Sequence, residues 1–142
     1  MSRYLGIDYG EKRIGIAISD PTLTIAQSLK TLIFQSEKKL MQELEDIITE
    51  YAVDKIVLGL PITMKGTDSE KTREVREFAE ELKKRFQQPV ILFDERMTTI
   101  QAHSTLHQMG KKPGKHKEKV DSMAAQFILQ TFLDREKIRG RS

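Results

Sequence analysis

Two short apolar runs rich in Ile and Gly, residues 4–8 and 13–19, are separated by Tyr9-Gly10-Glu11-Lys12. That spacing predicts a β-hairpin closed by a short, glycine-containing turn. Residues 25–33, rich in Leu, Ile and Thr, predict a third strand. The period then lengthens. Leu40, Met41, Leu44, Ile47, Ile48 and Tyr51 recur at helical spacing and mark one apolar face. Residues 55–60 form an apolar run stopped by Pro61, the pattern of a buried strand. Residues 69–86 return to helix, with Val75, Phe78, Ala79 and Leu82 inward; Pro89 ends this stretch, and residues 90–93 read as another buried strand. Thr98 or Thr99 can cap a helix running to Met109, with Gly110 as its stop. Val120, Met123, Ala124, Phe127 and Ile128 define the apolar stripe of a last helix. The order β-β-β-α-β-α-β-α-α predicts an α/β fold in which a five-stranded mixed sheet is flanked by helices on both faces.

Composition narrows the class. The chain has 142 residues, 38% hydrophobic and 32% charged, a balance suited to one folded domain over residues 1–142. No apolar run approaches the roughly 20 residues of a membrane span, and the N-terminus has no signal-peptide core, so a cytoplasmic location is expected. Cysteine is absent, so any catalytic metal must take oxygen or imidazole ligands. The net charge is only +3, and its distribution says more than its size. Residues 110–119 read Gly-Lys-Lys-Pro-Gly-Lys-His-Lys-Glu-Lys, whereas acids concentrate in 43–50 and 70–81. A basic loop set against acidic helices is a candidate phosphate footprint.

Three carboxylate positions could carry chemistry. Strand alternation puts Leu5 and Ile7 on one face and Gly6 with Asp8 on the other, so Asp8 ends an apolar strand with space cleared beside it. Asp8 equally suits a tight Asp-Tyr-Gly turn. Asp94-Glu95 ends the strand at 90–93, and periodicity does not choose between the two. Asp121 lies in the first turn of the last helix, where acids offset the helix dipole; it also flanks the apolar stripe beside Ala125 and Ile128. Together the three carry more weight than any one. Ligands of open α/β sheets gather beyond the carboxyl ends of parallel strands, and clustered carboxylates without cysteine suit Mg²⁺ or Mn²⁺. Two such ions about 3.5–4 Å apart are a common centre for phosphodiester hydrolysis.

The residues also resemble a known family. Gly6-Ile7-Asp8-Tyr9-Gly10 with Lys12-Arg13-Ile14-Gly15, and Leu58-Gly59-Leu60-Pro61 with Gly66 and Ser69, are similar to the YqgF/RuvX family. So are Asp94-Glu95-Arg96 with Thr98-Thr99 and Ala102, and Val120-Asp121-Ser122 with Ala124-Ala125; the motifs run in order over almost the whole chain. The resemblance implies a ribonuclease H-like fold related to the RuvC resolvases. It implies a cytoplasmic, Mg²⁺-dependent nuclease maturing the 5′ end of pre-16S ribosomal RNA, with Holliday-junction resolution as the alternative. It makes Asp8, Glu95 and Asp121 the catalytic and metal-holding acids, favouring Glu95 over Asp94. One departure stands out. The fourth strand ends Gly59-Leu60-Pro61 without the acid RuvC resolvases carry there, and Ala124-Ala125 replaces a further acid in the last helix. The resemblance therefore implies weaker metal binding than in resolvases.

Lys12, Arg13 and Arg96 are expected to meet backbone phosphates, and Lys111, Lys112, Lys115 and Lys117 to grip a duplex or junction arm. Arg96 has an alternative partner in its acidic neighbours. His103 and His107 have the i, i+4 spacing of a zinc pair, but no Glu follows His103. Two other functions compete. A sugar-kinase or actin-type phosphotransferase shares the first hairpin but needs a second domain, for which the chain has no room. A catalytically silent nucleic-acid-binding module would not need the acids. The partner is structured RNA or branched DNA, bound by a monomer or homodimer.

Overall fold

Strand β1 (Arg3–Asp8) pairs antiparallel with β2 (Arg13–Ser19), which pairs antiparallel with β3 (Ala26–Ile33). Parallel pairing then adds β4 (Val53–Leu60) beside β1 and β5 (Val90–Asp94) beside β4, giving the order β3-β2-β1-β4-β5. The computed structural model describes residues 2–63, 65–98 and 116–138, the last helix with side chains from residue 121 onward. Thr98 closes the short turn after β5, and the rest of the helix expected from Thr98 or Thr99 to Met109 lies outside the described residues.

Helices α1 (Glu37–Glu50) and α2 (Glu70–Arg85) begin where serine side chains take up free backbone donors. Ser36 accepts from Lys39 N at 3.1 Å, and Ser69 with Thr72 forms a reciprocal capping box. Both helices cover one face of the sheet. Leu40, Leu44, Ile47, Val75, Phe78 and Leu82 join Leu5, Ile7, Ile56 and Leu58 in one core. Each such burial contributes roughly 1.5–3 kcal/mol.

Helix α3 (His116–Ile138) covers the other face, packing Ala125, Ile128, Leu129, Phe132 and Leu133 on Tyr4, Ala17 and Val57. The stripe expected on this helix needs correction. Met123, Ala124 and Phe127 are only half-buried, and the buried line is Ser122, Ala125, Ile128, Leu129, Phe132 and Leu133. The reason is the small-residue floor of the sheet. Gly6 and Ala17 leave space that Ala125 and Leu129 fill, which rotates the helix toward the Asp121 side. Amides of α3 also clamp the edge strand: Gln130 accepts from Ala26 N at 2.8 Å, and Gln126 donates to Ala26 O at 3.0 Å. The ribonuclease H-like architecture expected from the motifs is the one observed, a mixed five-stranded sheet with helices on both faces.

Candidate active site

Alternation along β1 decides where Asp8 points. A Cβ at Gly6 would lie 2.8 Å from Leu129 Cβ and 3.1 Å from Ala125 O, so Gly6 faces α3. Asp8, two residues on, shares that face. Its neighbour on β2 is Gly15. A Cβ there would stand 1.9 Å from the backbone oxygen of Asp121, so α3 rests directly on the sheet at Asp121. Asp121 lies in the second turn of α3 and not in the first as expected, because the helix begins already at His116. On the other side, the register Ile7 with Leu58 brings Asp8 alongside Gly59. A Cβ at Gly59 would come within 3.2 Å of Glu95 Cγ. Two glycines thus flank Asp8, and each lies beneath one of the other two acids.

Asp94 goes elsewhere. Phe93 packs edge-on against Phe132 on the α3 side, so Asp94, the next strand residue, turns to the opposite face. Its carboxylate caps the 3₁₀ turn Glu95–Met97 and accepts from Arg96 N at 2.9 Å, Nε at 3.0 Å and Nη2 at 2.7 Å. These bonds hold the Asp94 carboxyl below its usual range, the Arg96 side chain being the larger cause. Glu95, one residue later, has left the strand and returns to the Asp8 side.

The electrostatics follow from this gathering. Burial, then the Glu95 charge, pushes the Asp8 carboxyl up to about 7; Lys71 opposes the rise and Asp121 adds to it. Asp121 has a partner of its own, Arg13 Nε at 2.7 Å from Oδ2.

As they stand, the acids are not a closed coordination shell. Among the described residues no three Asp, Glu or His side chains gather closely enough to hold an ion. Their chemistry nevertheless fits a hard cation: all are oxygen donors, and Asp8 is destabilised as an anion by burial and by the other two acids. Asp121 is meanwhile held in an ion pair by Arg13.

The basic residues fall less well into place. Lys12 is exposed in the hairpin turn as expected. Arg96, assigned to phosphate, is instead bound to its own neighbour Asp94, because the tight turn after β5 brings the guanidinium back onto that carboxylate. Arg13, likewise assigned to phosphate, is bound in the free chain to Asp121, because it lies on the face of β2 that α3 covers and α3 seats Asp121 over Gly15. Lys111, Lys112 and Lys115 lie outside the described residues, as does the side chain of Lys117. Sequence reasoning missed Lys71, which acts on Asp8 from the first turn of α2. Nothing in its local pattern separates it from other surface lysines. The parts played by Gly15 and Gly59 were also missed, although a glycine inside a buried strand is a signal of close approach.

Comparison with known proteins identifies the family and the fold. The family model described as RuvX, Holliday junction resolvase, matches residues 2–135. A protein of Sulfurihydrogenibium sp. (strain YO3AOP1), named provisionally as a pre-16S rRNA nuclease, is 46% identical over 137 residues, covering 95% of this chain and 92% of its own. A Clostridium tetani protein of the same name is 45% identical, covering 93% and 96%. Among solved structures, T. thermophilus RuvC in complex with Holliday junction substrate superposes with a TM-score of 0.62 at 11% identity, covering 99% and 98%. The fowlpox virus Holliday junction resolvase gives 0.51 at 16% identity, covering 94% and 99%. These two support the fold alone. With the family model spanning nearly its whole length and close relatives matching end to end, the chain belongs to the RuvX family.

Proposed function

We propose that this RuvX-family protein is a divalent-metal-dependent nuclease that hydrolyses phosphodiester bonds during 5′-end maturation of pre-16S ribosomal RNA. The observation that carries the reading is the gathering of acids around half-buried Asp8 at the end of β1, with Glu95 over Gly59 and Asp121 over Gly15; burial and the charges of Glu95 and Asp121 raise its carboxyl to about 7. Such a carboxylate gains most from a cation. Asp8, Glu95 and Asp121 would hold Mg²⁺ or Mn²⁺, two ions by analogy with other phosphodiester-cleaving carboxylate centres. The metal would supply positive charge for the reacting phosphate and acidify a bound water. The protein's own part is placement: β1 and α3 fix Asp8 and Asp121, the turn after β5 fixes Glu95, and Lys12 and Lys71 place positive charge near the incoming backbone. Lys111, Lys112, Lys115 and Lys117 extend that charge along a structured strand. The protein acts in the cytoplasm as a single domain, alone or as a homodimer; among the described residues no helix is long and apolar enough to cross a membrane.

The names of relatives above 40% identity favour ribosomal RNA as substrate, and the family description favours a DNA junction. Cleavage of a pre-16S 5′ leader and of a four-way DNA junction, side by side in Mg²⁺ and Mn²⁺, separates them. The expected outcome is specific cleavage of the leader, lost on chelation. Junction cleavage with an untouched leader would move the function to recombination. Binding without cleavage of either would leave a silent nucleic-acid-binding module.

A further inference from the structure

Arg13 has two claimants. Its place on β2, in step with Gly15 and Ala17, puts it on the α3 face, and its Nε donates to Asp121 Oδ2 at 2.7 Å. The pair is partly open to solvent, with side chains 35% and 24% accessible, so an incoming phosphate can reach the guanidinium. The backbone at residue 121 is seated on Gly15, on the same strand as Arg13, which keeps Asp121 close to Arg13. The two other arginines nearest in function or sequence offer no substitute. Arg96 is committed to Asp94, and Arg3 donates to Ser19 O at the other end of β1.

We propose that Arg13 gates the metal site: in the substrate-free protein its guanidinium neutralises Asp121 in place of a divalent ion, and a backbone phosphate draws Arg13 off and releases Asp121 to the metal. This rests on Asp8, Glu95 and Asp121 being the ion-holding acids. A phosphodiester presents the same kind of paired anionic oxygens to a guanidinium as a carboxylate does, so the exchange keeps charge-assisted hydrogen bonds on both sides. Metal and phosphate then bind cooperatively through one side chain. Whichever arrives first frees the partner of the other, and linkage makes the gain equal in both directions. The physical consequence is a centre whose completion substrate favours.

Calorimetric titration of Mn²⁺ into nucleic-acid-free protein tests the gate without any activity readout. Wild type, Arg13→Gln, Asp121→Asn and the double variant are compared, each first checked for an unchanged fold by circular dichroism. Arg13→Gln should bind Mn²⁺ about fivefold more tightly, which is about 1 kcal/mol, the upper range for a partly exposed ion pair. Asp121→Asn should weaken binding, and the double variant should be no tighter than Asp121→Asn. Equal Mn²⁺ affinity in wild type and Arg13→Gln overturns the gate while leaving the ion site standing. Binding unaffected by Asp121→Asn overturns the ion site, and the gate with it. A second readout is the affinity for a hairpin RNA in Ca²⁺ against EDTA. Ca²⁺ should tighten RNA binding more in wild type than in Arg13→Gln; an equal gain in both also overturns the gate.

Discussion

Asp8→Asn is expected to make the metal-free protein more stable while abolishing metal-dependent cleavage. Burial, with Glu95 and Asp121 adding to it, raises the Asp8 carboxyl from the usual 3.8 to about 7. The native state therefore holds this proton more tightly than the unfolded chain does. Below about pH 4 both states are protonated and the contribution to stability is complete; it is lost as pH rises toward 7, beyond which the native fold carries an unfavourable anion. A displacement of about three pH units corresponds to roughly 4 kcal/mol at most. Asparagine has nearly the same shape and no charge to desolvate. In EDTA at pH 8 the variant should gain about 2–4 kcal/mol, raising Tm by about 10 °C, with the gap closing toward pH 4. Cleavage should fall by about 10³-fold or more, because several kcal/mol of metal-derived stabilisation of the transition state go with the ligand. Thermal melts across pH with parallel cleavage assays check both halves. A variant melting no higher than wild type at pH 8 would show that Asp8 is not a strained carboxylate.

Gly15→Ala should do the reverse, harming fold and activity together. A Cβ at residue 15 would sit 1.9 Å from Asp121 O, 2.4 Å from its carbonyl carbon and 3.1 Å from Ser122 N. All three are backbone atoms in the second turn of α3, and none can swing aside like a side-chain tip. Relief requires the helix terminus to lift from β2. Overpacking of this kind costs about 1–3 kcal/mol, well above the 0.4–1 kcal/mol gained from a less flexible unfolded chain. The same displacement carries Asp121 away from Asp8, and a shift of about 1 Å at a reacting centre can cost about 10²-fold in rate. Gly59→Ala is milder in comparison, since its closest contact is the flexible Ile128 Cδ1 at 2.6 Å. Denaturant melts and single-turnover cleavage of the two variants should rank Gly15→Ala as the worse on both counts. Full stability and activity in Gly15→Ala would mean that α3 does not need to sit so close.

Much of this was readable before any coordinates. The hairpin, α1 and α2 announced themselves because hydrophobic period and capping residues agree: Ser69, Val75, Phe78 and Leu82 are each where a local rule puts them. Asp8 was legible too, since alternation with Gly6 settles its face. The choice between Asp94 and Glu95 was not. It depends on the chain leaving β5 at Asp94 and entering a 3₁₀ turn, a boundary that alternation does not mark. The stripe of α3 was misjudged for a related reason: the helix is rotated by where the sheet holds glycine and alanine, a tertiary fact absent from its own sequence. The carboxylate partners of Arg13 and Arg96 in the free chain were not legible, because charge alone does not say which anion a guanidinium meets, and both find carboxylates within the fold.

Anomalous diffraction from crystals grown with Mn²⁺ and a bound, uncleaved RNA tests most directly whether these three acids share a metal centre. The expected map has manganese peaks bounded by the carboxylates of Asp8, Glu95 and Asp121, with Arg13 turned away from Asp121 toward a phosphate. Manganese bound elsewhere, with Asp121 still paired to Arg13 and Asp8 touching no ion, would contradict it.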